Sequence, residues 1–415
     1  MAGDLRVFYY NTFLPKEWGE GMVSRQFWNK AINLDGWELV TTPPFSPEKL
    51  QHTTGRKKPK NGLRHGRFPI KKLVPGSIWQ SLRDLRSPIS RWPFAPYLYA
   101  RNMTRLVQQT IHQQGSFDVF LLHLSQADLE TLARLCSSTN APIVLRAPGP
   151  LAYQADHVFN RYISKRDRQN EKFLYRRAEA ILVISSDMKR MFIEEGIDAA
   201  KIHVVPNGVD FTIFTQEKVD GTAVRQQFDL CERKVVGYVG GFWSGNDLAT
   251  LLRAWQIVEK REPQATLLLV GSGPQYSSAQ QLSSDLGLKQ CVWSGRVNHD
   301  QVPDYLAAMD VGVGPYTCET VTFVSPLKVI EYAVMGLPVI ATEGGQISEL
   351  IEDGISGITY PPGDAGELAE GILTLLANPT AAREMGRLAR TRMQDWFSWE
   401  KMARDVQSVC KEVVN

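Results

Sequence analysis

The stretch Ser325-Pro326-Leu327-Lys328-Val329-Ile330-Glu331-Tyr332-Ala333-Val334-Met335-Gly336-Leu337-Pro338-Val339-Ile340-Ala341-Thr342 predicts a helix running into a buried strand. Ser325 suits the N-cap, and Pro326 suits the first helical position, where its missing N–H costs nothing. Gly336 suits the left-handed residue just past the helix end, and Pro338 to Thr342 is a short apolar strand. Lys328 fits this local account poorly. It would be the third residue of the helix, at the positive end of the dipole, where Asp or Glu is the local choice. Two readings of it are open. A lysine beside the exposed N–H groups of a helix start makes a site for an anion such as phosphate. Glu331, one turn deeper, could then accept hydrogen bonds from the vicinal hydroxyls of a ribose. Alternatively Lys328 and Glu331 form a surface pair, worth roughly a few tenths of a kcal/mol.

Outward from this stretch, strands and helices alternate. Towards the N-terminus, the strand candidates are Leu5 to Tyr10, Trp37 to Thr42, Asp118 to His123, Pro142 to Arg146, Ile181 to Ser185 and Lys201 to Val205. A second series runs through Lys234 to Gly241, Ala265 to Gly273, Cys291 to Gly295 and Asp310 to Val313. This alternation predicts an α/β protein with two parallel, doubly wound sheets. Pro206-Asn207-Gly208-Val209-Asp210 is a strong turn, and the polar segment from Phe211 to Arg233 reads as an interdomain linker. The final helices, Ala381 to Gln394 and Trp399 to Val413, lead to no strand, and the last is expected to pack back on the first domain. The expected division is 1–210, 211–395 and a terminal helix in 396–415.

A chain of 415 residues is too long for one ordinary core. Its apolar content of 43% and charged content of 22% exclude a fibrous or disordered class. Five scattered cysteines form no C-x-x-C pair, and no uncharged apolar run approaches the roughly 20 residues that span a bilayer. Met1-Ala2-Gly3-Asp4 runs directly into a strand, so a reducing cytoplasm is the expected compartment. The net charge of +3 conceals a block between Gln51 and Arg105 with thirteen Lys or Arg and one acid, Asp84. That block overlaps an aperiodic, Pro- and aromatic-bearing segment at 43–96. It suits an anionic membrane surface, the inner face of the cytoplasmic membrane included, or a lipid-linked substrate; a plain solvated loop is the bland reading. No nucleic-acid-binding motif accompanies it.

Two further features point to a ligand. Gly19 and Gly21 lie in the loop after the first strand, where glycines let backbone approach a bound group, although a plain βα turn is the readier reading. His123 closes its strand at the end where ligands bind in open α/β sheets, although an isolated histidine is commonly structural.

Ile202 to Asp210, Ser325 to Thr342 and Gly344 to Gly354, in this order and spacing, resemble the retaining glycosyltransferases of family 4. The resemblance covers nearly the whole chain outside 43–96. It implies the GT-B fold, two Rossmann-like domains facing across a cleft. The C-terminal domain would bind a nucleotide-sugar donor and the N-terminal domain a glycan or lipid-linked acceptor. It assigns Glu331 to the ribose hydroxyls and the backbone of Ser325, Pro326 and Leu327 to the diphosphate. Gly240, Gly241, Ser272 and Gly273 would line the donor, and Arg296 and Val297 the nucleobase. His123 would border the transferred sugar, and Gly19 and Gly21 would approach donor phosphate or acceptor. Asn207-Gly208 reads as a structural turn.

Three positions depart from the pattern. The first glutamate of the E-x7-E motif falls at Phe323, with Glu319 four residues early, and the usual arginine and lysine that neutralise the diphosphate fall at Gly241 and Asn246. Lys328 is the candidate replacement. No D-x-D occurs, so no metal and no other cofactor is expected. The implied function is metal-independent hexosyl transfer with retention, from a UDP- or GDP-linked donor. The alternatives are another GT-B enzyme, a sugar phosphorylase or nucleotide-sugar epimerase, or a non-catalytic partner protein.

Overall fold

The computed structural model describes residues 5–10, 31, 34–41, 104, 107–109, 111–125, 129–147, 149–154, 163–215, 219–394 and 396–415. Gly19, Gly21, the insertion at 43–96 and all of the basic block except Thr104 lie outside these residues.

The described strands form two all-parallel, six-stranded sheets, as the alternation predicts. The first comprises β1 (Leu5–Tyr10), β2 (Trp37–Thr41), β3 (Val119–His123), β4 (Ile143–Arg146), β5 (Ala180–Val183) and β6 (Ile202–Val204), in the order β2-β1-β3-β4-β5-β6. The second comprises β7 (Lys234–Val239), β8 (Ala265–Val270), β9 (Cys291–Gly295), β10 (Val311–Gly314), β11 (Val339–Thr342) and β12 (Ile358–Tyr360), in the order β12-β11-β10-β7-β8-β9. β3, β4, β5, β8, β10 and β11 are buried along their whole length. Helices cover both faces of such sheets, so these strands read as continuous apolar runs, not alternations.

Strand order reverses between β1 and β3 in one sheet and between β7 and β10 in the other. At such switch points the connecting helices leave to opposite faces, and a crevice opens beyond the carboxyl ends of the strands. His123 ends β3 at the first switch point, and Gly240 and Gly241 follow β7 at the second.

The last helix, Trp399–Glu412, buries Trp399, Met402, Ala403, Val406, Val409 and Cys410. This i, i+3, i+4, i+7 stripe packs on Val7, Tyr9, Val119, Leu121, Val144 and Leu182, one face of the first sheet. The chain thus finishes on the domain it began in. Ser398 caps this helix by accepting from Lys401 N, and Val209 bridges to Ser398. Gly208 is required at this crossing, because a Cβ there would come within 2.3 Å of the Trp399 backbone nitrogen.

Two expectations are corrected. The segment from Phe211 to Arg233 is no free linker in its described part: Phe214, Val224 and Leu230 are buried in the core of the second domain, and Thr222–Gln227 is helical. Three large apolar residues in a polar background are enough to dock it. Ser325 is not the N-cap. The helix is Leu327–Val334, Pro326 precedes it, and no side chain caps it. Ser325 sits one residue too early for its hydroxyl to reach the first-turn N–H groups, and its Oγ is buried with no bonded partner. Lys328 is therefore the second helical residue, while Gly336 takes the left-handed φ of +67° as expected.

Candidate functional site

The Leu327–Val334 helix starts over the β7–β10 switch point with its N–H end uncapped. Lys328 leaves its first turn and is half-buried. Its Nζ donates to Asn246 Oδ1 at 2.6 Å and lies 4.3 Å from the Tyr316 ring centre and 5.1 Å from that of Tyr238. Asn246 is itself fixed, because its Nδ2 donates to Gly241 O at 2.7 Å. Tyr238 Oη donates to the same carbonyl at 2.7 Å. Gly240 leaves room for the lysine stem, since a Cβ there would come within 3.0 Å of Lys328 Cε. Lys328, Gly240, Gly241 and the helix start therefore form one cradle.

This geometry overturns the surface-pair reading of Lys328 and Glu331. Glu331 is buried, and the lysine's hydrogen bond goes to Asn246. Burial pushes the Glu331 carboxyl up to about 8, opposed by Lys328, and lowers Lys328 to about 7, opposed by Glu331. The aromatic faces and the Asn246 oxygen favour the charged lysine. A diphosphate arriving at the helix start would favour it further. Protonated Glu331 can donate as well as accept a hydrogen bond.

The loops after β7, β8 and β9 lie side by side. Gly240 N donates to Val270 O at 3.0 Å, Gly271 N to Gly295 O at 2.9 Å, and Phe242 N to Ser272 O at 3.0 Å. The contact is backbone on backbone: a Cβ at Gly271 would come within 1.9 Å of Gly240 O. Ser272 and Gly273 are exposed on this rim, as is Arg296 just past β9, while Val297 is partly buried. The predicted donor residues are thus gathered along one edge.

Across the crevice, His123 is buried at the end of β3 and its Nδ1 has no bonded partner among the described residues. Burial, with the charge of Arg146 next to it, lowers His123 to about 3 and keeps the imidazole neutral. Arg146, its register partner on β4, is also buried, and its Nη2 donates to Asn207 Oδ1. The sequence reading missed Arg146. Its signal is a charged residue closing an otherwise apolar strand beside His123.

The two domains meet around the helix start. Leu327 packs on both the second-domain core and the first-domain cluster under the C-terminal helix. Gln346 Nε2 donates to Ile184 O at 2.9 Å, and Glu349 Oε1 accepts from Ser186 N at 2.7 Å. Phe323 lies against the first-domain core with Tyr153. Glu319 is exposed; its position beside Phe323 in sequence does not bring it into this contact. Among the described residues no three His, Cys, Asp or Glu side chains gather to hold a metal ion, and no helix is long and apolar enough to cross a membrane.

Comparison with known proteins gives the family and the fold. Residues 233–378 match the model for glycosyl transferases group 1, and residues 64–212 match that for glycosyltransferase family 4. The chain belongs to the group 1 glycosyltransferases. Relatives include a GDP-mannose-dependent alpha-(1-6)-phosphatidylinositol monomannoside mannosyltransferase of Mycolicibacterium smegmatis. It is 26% identical over 226 residues, covering 54% of this chain and 59% of that protein. A sulfoquinovosyl transferase of Arabidopsis thaliana is 28% identical over 243 residues, covering 57% of this chain and 46% of that protein. The matches thus span less than two thirds of these curated relatives. Among solved structures, Anabaena HepE in complex with UDP and glucose superposes with a TM-score of 0.69 at 18% identity, covering 98% of this chain and 99% of that one. Sucrose-phosphate synthase from Thermosynechococcus elongatus gives 0.72 at 20% identity, covering 99% of each. At these identities the superpositions establish the shared GT-B fold.

Proposed function

We propose that this chain transfers a hexosyl group from a UDP- or GDP-linked donor to a hydroxyl of a glycan or lipid-linked acceptor, with retention and without a metal on the diphosphate. The observation that carries the reading is the Lys328 ammonium, held at an uncapped helix start over the Gly240–Gly241 backbone. The leaving diphosphate accumulates negative charge as the glycosidic bond breaks. A preorganised ammonium at the positive end of the helix dipole stabilises that charge without reorganising.

Position supports the following roles. Ser325, Pro326 and Leu327 present backbone to the diphosphate. Glu331, buried one turn deeper, holds the ribose hydroxyls, and Arg296 and Val297 border the base. Neutral His123 offers the transferred sugar a hydrogen bond from the opposite wall. The departing phosphate takes the acceptor proton on the face it leaves, which gives retention without a side-chain nucleophile. Closure of the two domains excludes water and limits donor hydrolysis. The relatives whose names specify a GDP-mannose donor and a phosphatidylinositol-based acceptor support the donor and acceptor classes. The basic block at 51–105 supports an acceptor at an anionic surface.

Calorimetry of the whole protein with UDP, GDP, ADP and their sugar conjugates tests the reading. Binding of one nucleoside diphosphate and its sugar conjugate is expected, and binding of none overturns it. Sedimentation with anionic and neutral liposomes tests the acceptor surface, where salt-sensitive binding to anionic vesicles alone is expected.

A further inference from the structure

Phe323 belongs by sequence to the second domain, two residues before Ser325, yet its ring packs on the first-domain core. Its centroid lies 5.2 Å from that of Tyr153, with the rings tilted by 46°. Gly149 lies beneath the pair: its φ is +139°, and a Cβ there would come within 3.1 Å of Phe323 Cδ1. Tyr153 remains 39% exposed and Phe323 half-buried, so part of the ring surface is left uncovered.

The short helix that carries Tyr153, Leu151–Tyr153, is anchored. The buried Glu171 carboxylate accepts from Leu151 N at 2.5 Å, from Ala152 N at 3.0 Å and from Tyr175 Oη at 2.6 Å. The aromatic pair is thus held from both domains, by the Glu171-anchored short helix on one side and the approach to the Lys328 helix on the other.

Its place is defined by its neighbours. On one side Ser325 leads into the helix start that faces the diphosphate. On the other His123 ends β3, the strand next to β4, whose exit segment carries Gly149 and Tyr153. In the proposed reading, the sugar of a donor whose diphosphate meets that helix start lies between them.

We propose that Phe323 and Tyr153 form an aromatic wall of the transferred sugar's subsite, with Phe323 as its specificity-determining residue. The wall selects a sugar that turns a C–H face, not a hydroxyl-rich edge, towards the 320–325 loop. Ring faces carry negative partial charge and pack well on polarised C–H groups, while they leave hydroxyls without partners. The inference rests on the glycosyltransferase reading above.

The test is calorimetry of the parent, Phe323→Ala, Phe323→Leu, Phe323→Glu and Tyr153→Leu, each with UDP, GDP, UDP-glucose, UDP-N-acetylglucosamine and GDP-mannose. Scattering measurements of the radius of gyration accompany it. Nucleoside diphosphate affinity is expected to stay within about twofold, while affinity for the matching sugar conjugate falls at least about tenfold in Phe323→Ala and less in Phe323→Leu. Phe323→Glu is expected to change the order of preference among the sugars. Equal weakening of diphosphate and conjugate overturns the proposal, as does unchanged conjugate binding in Phe323→Ala. A loss accompanied by a larger radius of gyration makes Phe323 an interdomain contact only and also overturns it. A parent that binds none of the five ligands overturns the proposed function and this inference together.

Discussion

Lys328 and Asn246 are 82 residues apart in the chain, and Lys328 Nζ donates to Asn246 Oδ1 at 2.6 Å. Asn246 occupies the position where the family pattern places a diphosphate-neutralising lysine. The ammonium missing from Asn246 is thus supplied from another element to nearly the same point in space. Gly241, where the pattern places an arginine, contributes its carbonyl to fix Asn246 and Tyr238. In the proposed reading, the charge that the sequence lacks at these two positions is supplied by Lys328 on the adjoining helix.

Asn246→Asp places a carboxylate against this ammonium. The pair neutralises itself and leaves less charge for a ligand. Nucleoside diphosphate affinity is expected to fall about tenfold by calorimetry. Asn246→Ala removes only the tether and is expected to cost less. A tighter diphosphate in Asn246→Asp would contradict the charge argument.

The pH dependence follows from the same pair. Lys328 is lowered from 10.5 to about 7, so between those values the folded state binds fewer protons than the unfolded chain. Its contribution to stability is present above the unfolded value and is lost as pH falls through about 7. Glu331 is raised from 4.5 to about 8, so its contribution is present below 4.5 and is lost as pH rises through about 8. For an anionic ligand the sign is set by the lysine: diphosphate affinity should weaken as pH rises above about 7, approaching tenfold per unit. Lys328→Arg should flatten that profile, because a guanidinium does not titrate in this range. Calorimetric titrations between about pH 6 and 9 read both outcomes.

Glu171 has a different task. Its carboxylate satisfies two backbone N–H groups at the start of the segment that carries Tyr153. Glu171→Ala strands those donors and is expected to lower stability by about 2–4 kcal/mol in denaturant unfolding. Glu171→Gln keeps an acceptor and should cost less than half as much. Equal effects would show that burial, not acceptance, sets the cost.

Gly208 marks where the chain returns to its first domain. Gly208→Val drives a side chain into the Trp399 backbone and should destabilise by about 1–3 kcal/mol. Limited proteolysis of that variant should cut first between Phe397 and Trp399, releasing the terminal helix. An unchanged cleavage pattern would mean the crossing relaxes in another way.

The sheets were legible because each buried strand is a short unbroken apolar run, as in Val119 to His123 or Ala265 to Val270. The terminal helix was legible because its apolar residues recur at helical spacing. The Lys165–Arg177 helix was not: it buries only Glu171, Leu174 and Tyr175, so no stripe announces it. Its one local signal is the capping box between Ser164 and Asp167. Phe211 to Arg233 misled because three buried residues were diluted among polar ones. At the site, Lys328 stood out by its conflict with the helix dipole, a purely local effect. Its tether Asn246, its ring contacts Tyr238 and Tyr316, and Arg146 beside His123 were hidden because they come from four separate loops or strand ends that only tertiary structure brings together.

The central claim is that Lys328 carries the charge of the departing diphosphate. The direct measurement compares Lys328→Ala with the parent in turnover of the donor that the parent uses, and in affinity for the matching nucleoside and nucleoside diphosphate. Turnover is expected to fall by about 100-fold or more, diphosphate affinity to weaken, and affinity for the unphosphorylated nucleoside to stay unchanged. Equal turnover in mutant and parent would remove Lys328 from the mechanism.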